Sequence, residues 1–187
     1  MKVAETLSKD GHYTYADLLT WNDDVRYELV DGVAYAMTSP TTSHQRVLRD
    51  LGFLLYTYLR GKSCELFVAP SDVRLTFENG DDTVFQPDLY VVCDKSKLHE
   101  RGCLGAPDLV IEILSPSTAR FDMIVKYQKY QEVGVREYWI VDPEGKTVDV
   151  FILENSLFVR REYGSSDIIT SHLLDGCEVN LAEVFGN

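Results

Sequence analysis

Residues 109–142 constrain the fold of this chain more than any other stretch. Leu109-Val110-Ile111-Glu112-Ile113-Leu114 is an apolar run broken by one charge, the pattern of a central strand buried on both faces. Ser115-Pro116-Ser117-Thr118 stops that strand and caps a helix over about Ala119–Val133, which Gly134 ends. Glu137–Asp142 then reads as a second strand. Strand, helix and strand in that order favour a parallel pair joined by a right-handed crossover.

The flanking segments fit around this unit. Arg26–Val30, Asp31-Gly32 and Val33–Met37 predict a hairpin, because Asp-Gly supplies the positive φ values of a two-residue type I′ turn. That loop pairs Val30 with Val33 and Glu28 with Tyr35. Thr14 followed by Asp17 caps a short helix through Leu18 and Leu19. Thr42-x-x-Gln45 can form a capping box for a longer one. Behind it Val47, Leu48, Leu51, Leu54, Leu55, Tyr58 and Leu59 form one stripe, and Gly61 is placed to end it. Further strands are expected over Cys64–Ala69, Asp72–Phe77, Val84–Cys93 (beginning near Asp88), Thr147–Leu153 and Leu157–Tyr163, with a polar turn at Glu78–Asp82. The class is α+β, α/β-like: a mixed sheet with two main helices and an N-terminal β-hairpin.

A length of 187 residues suits one domain. We expect a flexible N-terminus over 1–12 and a single domain over 13–187. With 45% hydrophobic and 26% charged residues, disorder and simple coiled coil are excluded. Apolar runs are too short to span a bilayer as a helix. Met1–Glu5 lacks the apolar stretch of a signal peptide, so the expected location is cytoplasmic, with no membrane partner. Cys64, Cys93, Cys103 and Cys177 show no C-x-x-C spacing and read as free buried thiols. The net charge of −12 weighs against nucleic acid unless cations gather locally. Arg46, Arg49, Arg60, Lys62, Arg120, Lys126 and Lys129 lie on the two main helices. Gathered on a cleft rim they would outweigh acidity elsewhere, because screening limits its reach to ~8–10 Å.

Glu112 leads the chemical candidates. A carboxylate inside an apolar strand is costly unless it is paired, hydrogen-bonded or metal-bound. It is either one half of a structural ion pair or a metal ligand or acid–base group. Two Pro-Asp-Leu triplets compete to supply its partner, at Asp88 and Asp108. Asp108 shares a strand with Glu112 and stands ~13 Å away, too far to share an ion, so it reads as a strand-entry residue. Asp88 lies on another strand, and neighbouring strands are ~4.8 Å apart. Lys126 has Asp122 as its i−4 neighbour and is either an exposed helix pair or a site residue. Glu28 faces solvent or a cleft. His44 sits on the apolar stripe, as a core histidine or a residue at the cleft mouth. The four histidines lack zinc spacing, and there is no phosphate-binding loop or G-x-S-x-G elbow.

Arg26-Tyr27-Glu28-Leu29-Val30-Asp31-Gly32, Ser43-His44-Gln45, Gln86-Pro87-Asp88-Leu89, the run Pro107–Thr118 and Gly134-Val135-Arg136-Glu137-Tyr138-Trp139-Ile140-Val141-Asp142-Pro143 together resemble the Uma-type restriction endonucleases. That family lies within the PD-(D/E)XK nuclease superfamily. The resemblance covers roughly residues 13–185. It implies a restriction-endonuclease-like core that binds Mg²⁺, with Mn²⁺ as a substitute, through Asp88 and Glu112. The superfamily's lysine position is Leu114 here, and the resemblance moves that role to Lys126, with Glu28 and His44 matching further positions near the site. It implies hydrolysis of DNA phosphodiester bonds with a 5′ phosphate product, and a homodimer by superfamily habit. The alternative is a catalytically idle relative that binds a protein or nucleic acid through the same cleft.

Overall fold

A computed structural model describes residues 12–22, 24–77 and 83–186. Of the expected features, all but the last residue of the N-terminal segment 1–12 and the polar turn at 78–82 lie outside the described residues. The capping box of Thr14 and Asp17 opens α1, Tyr15–Leu18.

The hairpin forms as read. β1 (Tyr27–Val30) and β2 (Val33–Ala36) pair Glu28 with Tyr35 and Val30 with Val33. Asp31 and Gly32 carry φ values of 51° and 78°, as the turn requires. Next comes α2, Thr42–Leu59. Its cap is Thr41, one residue before the expected Thr42; the Thr41 hydroxyl accepts the His44 N–H at 3.2 Å. β3 (Glu65–Val68), β4 (Asp72–Leu75), β5 (Thr83–Phe85), β6 (Leu89–Val92), β7 (Leu98–His99), β8 (Gly102–Leu104) and β9 (Leu109–Ile113) follow. A π-helical segment, Phe121–Lys126, leads into α3, Tyr127–Glu132. The chain closes with β10 (Glu137–Asp142), β11 (Thr147–Glu154), β12 (Leu157–Gly164), β13 (Ile168–Thr170), β14 (Glu178–Asn180) and α4 (Leu181–Phe185).

The α+β class with mixed strand pairing holds, divided between two sheets rather than gathered in one. The strands form two six-stranded sheets, β2-β1-β5-β4-β8-β7 and β12-β11-β10-β9-β6-β3, plus the β13–β14 ribbon. The second sheet holds the strand–helix–strand unit, with β9 and β10 parallel as expected. β9 is buried throughout. By strand alternation Leu109, Ile111 and Ile113 face one core, against Val47, Leu51, Leu55 and Leu59 of α2. Val110 faces the other, with Tyr90, Tyr138, Tyr130 of α3, and Val73, Leu75 and Phe85 of the first sheet. Glu112 shares that second face.

The cysteine reading is also corrected in part. Cys64 and Cys93 form a disulfide, while Cys103 and Cys177 are free and buried. Antiparallel pairing of Glu65 with Val92 puts the two half-cystines on the next rung, an adjacency that a sequence separation of 29 hides. Among the described residues no helix is long and apolar enough to cross a membrane.

Candidate active site

Antiparallel β6 and β9 pair Leu89 with Ile111. The next rung sets Asp88 opposite Glu112, on adjacent strands and on the same face. Asp88 Oδ2 accepts the Ile113 N–H at 2.8 Å and contacts His44 Nε2 at 3.1 Å. Glu112 Oε1 accepts from Lys126 Nζ at 2.8 Å and from the Tyr130 hydroxyl at 3.1 Å. The second oxygen of each carboxylate, Asp88 Oδ1 and Glu112 Oε2, has no hydrogen bond among the described residues. Both residues line one cavity of about 520 Å³, together with Glu28, His44, Lys126, Asp122 and Gln86.

Lys126 is the hub. Its Nζ lies 2.8 Å from Glu112, 2.9 Å from Glu28 and 3.4 Å from Asp122. The four side chains are 3–6% exposed. Glu28 also accepts the Gln86 N–H at 2.8 Å, which ties β1 to the residues just before β6. One buried cation among three carboxylates sets the electrostatics. Burial pushes the Glu112 carboxyl well above the ordinary range; Lys126 pulls against it, while Asp122, Asp88 and Glu28 push it further up. Burial pushes Asp122 up to about 6, again opposed by Lys126. Burial alone would lower Lys126, but Glu112, Glu28 and Asp122 outweigh it and hold the ammonium well above its usual value. Lys126 is therefore charged at any working pH. Burial and the Glu112 charge raise the Tyr130 phenol, which stays a donor.

All five sequence candidates meet at this cavity. His44 arrives from the first turn of α2 with its side chain 7% exposed, so it is neither a surface residue nor enclosed by apolar neighbours alone. Its Nδ1 is buried without a hydrogen-bond partner among the described residues. Glu28 is buried, not solvent-facing. Asp108 lies outside the cluster, accepting the Cys93 N–H at 2.8 Å and meeting Arg136 at 3.4 Å. Lys129 pairs with Asp31 instead. The exposed Asp122–Lys126 pair is overturned: Asp122, Lys126 and Tyr130 stand at i, i+4 and i+8 and form the buried face, while Met123 and Ile124 are 51% and 46% exposed. Asp122 and Tyr130 are the members that sequence reasoning missed; the one signal was their spacing from Lys126. The cations on the two helices gather only in part. Arg120 and Lys126 line the cavity, joined by Arg26.

The chain resembles other proteins along most of its length. An uncharacterized protein from Synechocystis sp. is 28% identical over 138 residues, covering 72% of this chain and 71% of the relative. A second from the same organism is 28% identical over 118 residues, covering 62% and 65%. The crystal structure of a "putative nuclease belonging to DUF820" from Anabaena variabilis superposes with a TM-score of 0.76 at 17% identity, covering 92% of this chain and 97% of that one. The mixed two-sheet architecture is thus the fold of that neighbour. Residues 14–182 match the Uma2 family model, described as "Putative restriction endonuclease", and the chain belongs to that family.

Proposed function

We propose that the chain is a Mg²⁺-dependent endonuclease that hydrolyses phosphodiester bonds of DNA. The carrying observation is the Asp88–Glu112 pair: adjacent across two strands, each with one oxygen uncommitted, in one cavity with a buried lysine. The donor set fits the ion. Mg²⁺ takes one or two carboxylates and fills its remaining positions with water and substrate phosphate. Once bound, Mg²⁺ supplies charge for the scissile phosphate and acidifies water.

The protein's own groups do the rest. Asp88 and Glu112 hold the ion, each oriented by the partners on its other oxygen. Ile113 N–H and His44 fix Asp88; Lys126 and Tyr130 fix Glu112. Lys126, kept charged by its three carboxylates, orients the attacking water or faces the charge that grows on phosphorus. Glu28 anchors Lys126 and the Gln86 backbone. The attacking water gives up a proton to bulk solvent as its oxygen bonds to phosphorus and the P–O3′ bond breaks. The 3′ oxygen takes a proton from solvent and the phosphate stays on the 5′ end.

The test is nicking of supercoiled plasmid with and without Mg²⁺ or Mn²⁺, with Asp88→Ala alongside. We expect metal-dependent nicking that Asp88→Ala reduces by about a hundredfold or more. Nicking that needs no divalent ion, or that survives Asp88→Ala, overturns the proposal.

A further inference from the structure

The outer face of α2 carries more cations than anions in an acidic chain. Residues 42–62 hold four cations (Arg46, Arg49, Arg60 and Lys62) and one anion, Asp50, in a chain of net charge −12. Arg49 is tied to Asp50 at 2.7 Å, and Lys62 lies over the Tyr58 ring at 3.3 Å. Arg46 and Arg60 are exposed and form no ion pair among the described residues. Between them stand Phe53 and Tyr56, which are 67% and 61% exposed. Arg46, Arg49, Phe53, Tyr56 and Arg60 follow helical spacing and share one face, opposite the buried stripe of Val47, Leu51, Leu55 and Leu59. The track begins in the same turn that delivers His44 to the cavity, where Gln45 and Leu48 are also lining residues. From Arg46 to Arg60 it runs ~21 Å.

We infer that this face docks a nucleic-acid strand with unpaired bases, leading it into the cavity. Guanidinium groups at both ends fit phosphates. Two exposed rings between them fit stacking on bases, which needs π-faces that a duplex hides. A second copy of the chain fits less well, because it would oppose cations to cations. The inference rests on the nuclease reading and sharpens it: the preferred substrate is single-stranded or locally unpaired.

The experiment is fluorescence anisotropy of the full chain without divalent metal, using a labelled 30-nucleotide single strand and the matching 30-base-pair duplex. Phe53→Ala/Tyr56→Ala removes two stacking rings and should weaken single-strand binding about thirtyfold or more, leaving duplex binding little changed. Arg46→Gln/Arg60→Gln should weaken binding and flatten its salt dependence by ~0.7 in slope per lost contact, with Arg46→Lys/Arg60→Lys restoring most of it. Unchanged single-strand affinity in both double variants overturns the inference. So does an equal loss on single strand and duplex in Phe53→Ala/Tyr56→Ala, or a concentration-dependent dimer that this variant dissolves without affecting nucleic acid. Plasmid nicking separates the two readings. Unaltered binding in the variants with Asp88-dependent nicking intact removes the track alone. A working track with no Asp88-dependent nicking removes the nuclease alone.

Discussion

Replacing Asp122 by Asn should stabilise the protein, and more so as pH rises. Asp122 is the least well paired of the three acids around Lys126, at 3.4 Å against 2.8 and 2.9 Å. Burial raises its carboxyl from 3.8 to about 6. Below the lower value it is protonated in both folded and unfolded chains and has no effect. Between the two values the folded state binds more protons, so stability falls as pH rises. Above about 6 the full penalty is present, and the gap corresponds to about 3 kcal/mol. Asn keeps the shape without the charge. Glu112 and Glu28 still hold Lys126. At this chain length 1 kcal/mol moves Tm by about 2–4 °C, so the variant should melt roughly 6–12 °C above wild type at pH 8 and close to it at pH 4. Thermal melts followed by circular dichroism across pH 4–8 read this directly. A variant that melts below wild type at pH 8, or a difference that does not grow with pH, refutes the reasoning.

Lys126→Met leaves Glu112, Glu28 and Asp122 buried without their cation and should cost about 3–5 kcal/mol at pH 8 in urea unfolding. The loss should shrink toward pH 5, as Glu112 and Asp122 take up protons. Glu137→Ala strands three donors far from the cavity, Trp139 Nε1, Ser171 Oγ and Leu173 N, each within 2.9 Å of the carboxylate. At about 1–3 kcal/mol per orphaned group it should cost about 3 kcal/mol or more, and a melt unchanged from wild type would contradict this.

What the sequence reveals here is what local chemistry or strand spacing determines. Asp31-Gly32 sets the hairpin register by itself. The apolar run around Glu112 and the strand Glu137–Asp142 are found because burial on both faces leaves few polar positions. Asp88 is preferred over Asp108 by distance alone, and the β6–β9 rung agrees. The split into two sheets is hidden, because three-residue strands such as Thr83–Phe85 and Gly102–Leu104 pair non-locally. The helix after β9 is misread for a different reason. Its polar stripe, Asp122 and Lys126 with Tyr130, faces inward, and its apolar Met123 and Ile124 face outward. Hydrophobic periodicity assumes the opposite, and it fails at a candidate site where burial serves charge pairing. Lys126 is singled out by family resemblance, since spacing alone leaves it as either an exposed pair or a site residue.

The central claim is that Asp88 and Glu112 form one divalent-metal site. The most direct measurement is thermal melting of wild type and Glu112→Gln across a Mg²⁺ or Mn²⁺ titration. An ion that binds only the folded pair stabilises it by ~2.7 kcal/mol at a hundredfold excess over Kd, or about 5–11 °C. Wild type should show that rise. Glu112→Gln should lose most of it while its metal-free form melts at or slightly above wild type, because one buried charge is relieved. Equal metal-induced shifts in the two proteins would mean that Glu112 is not a ligand.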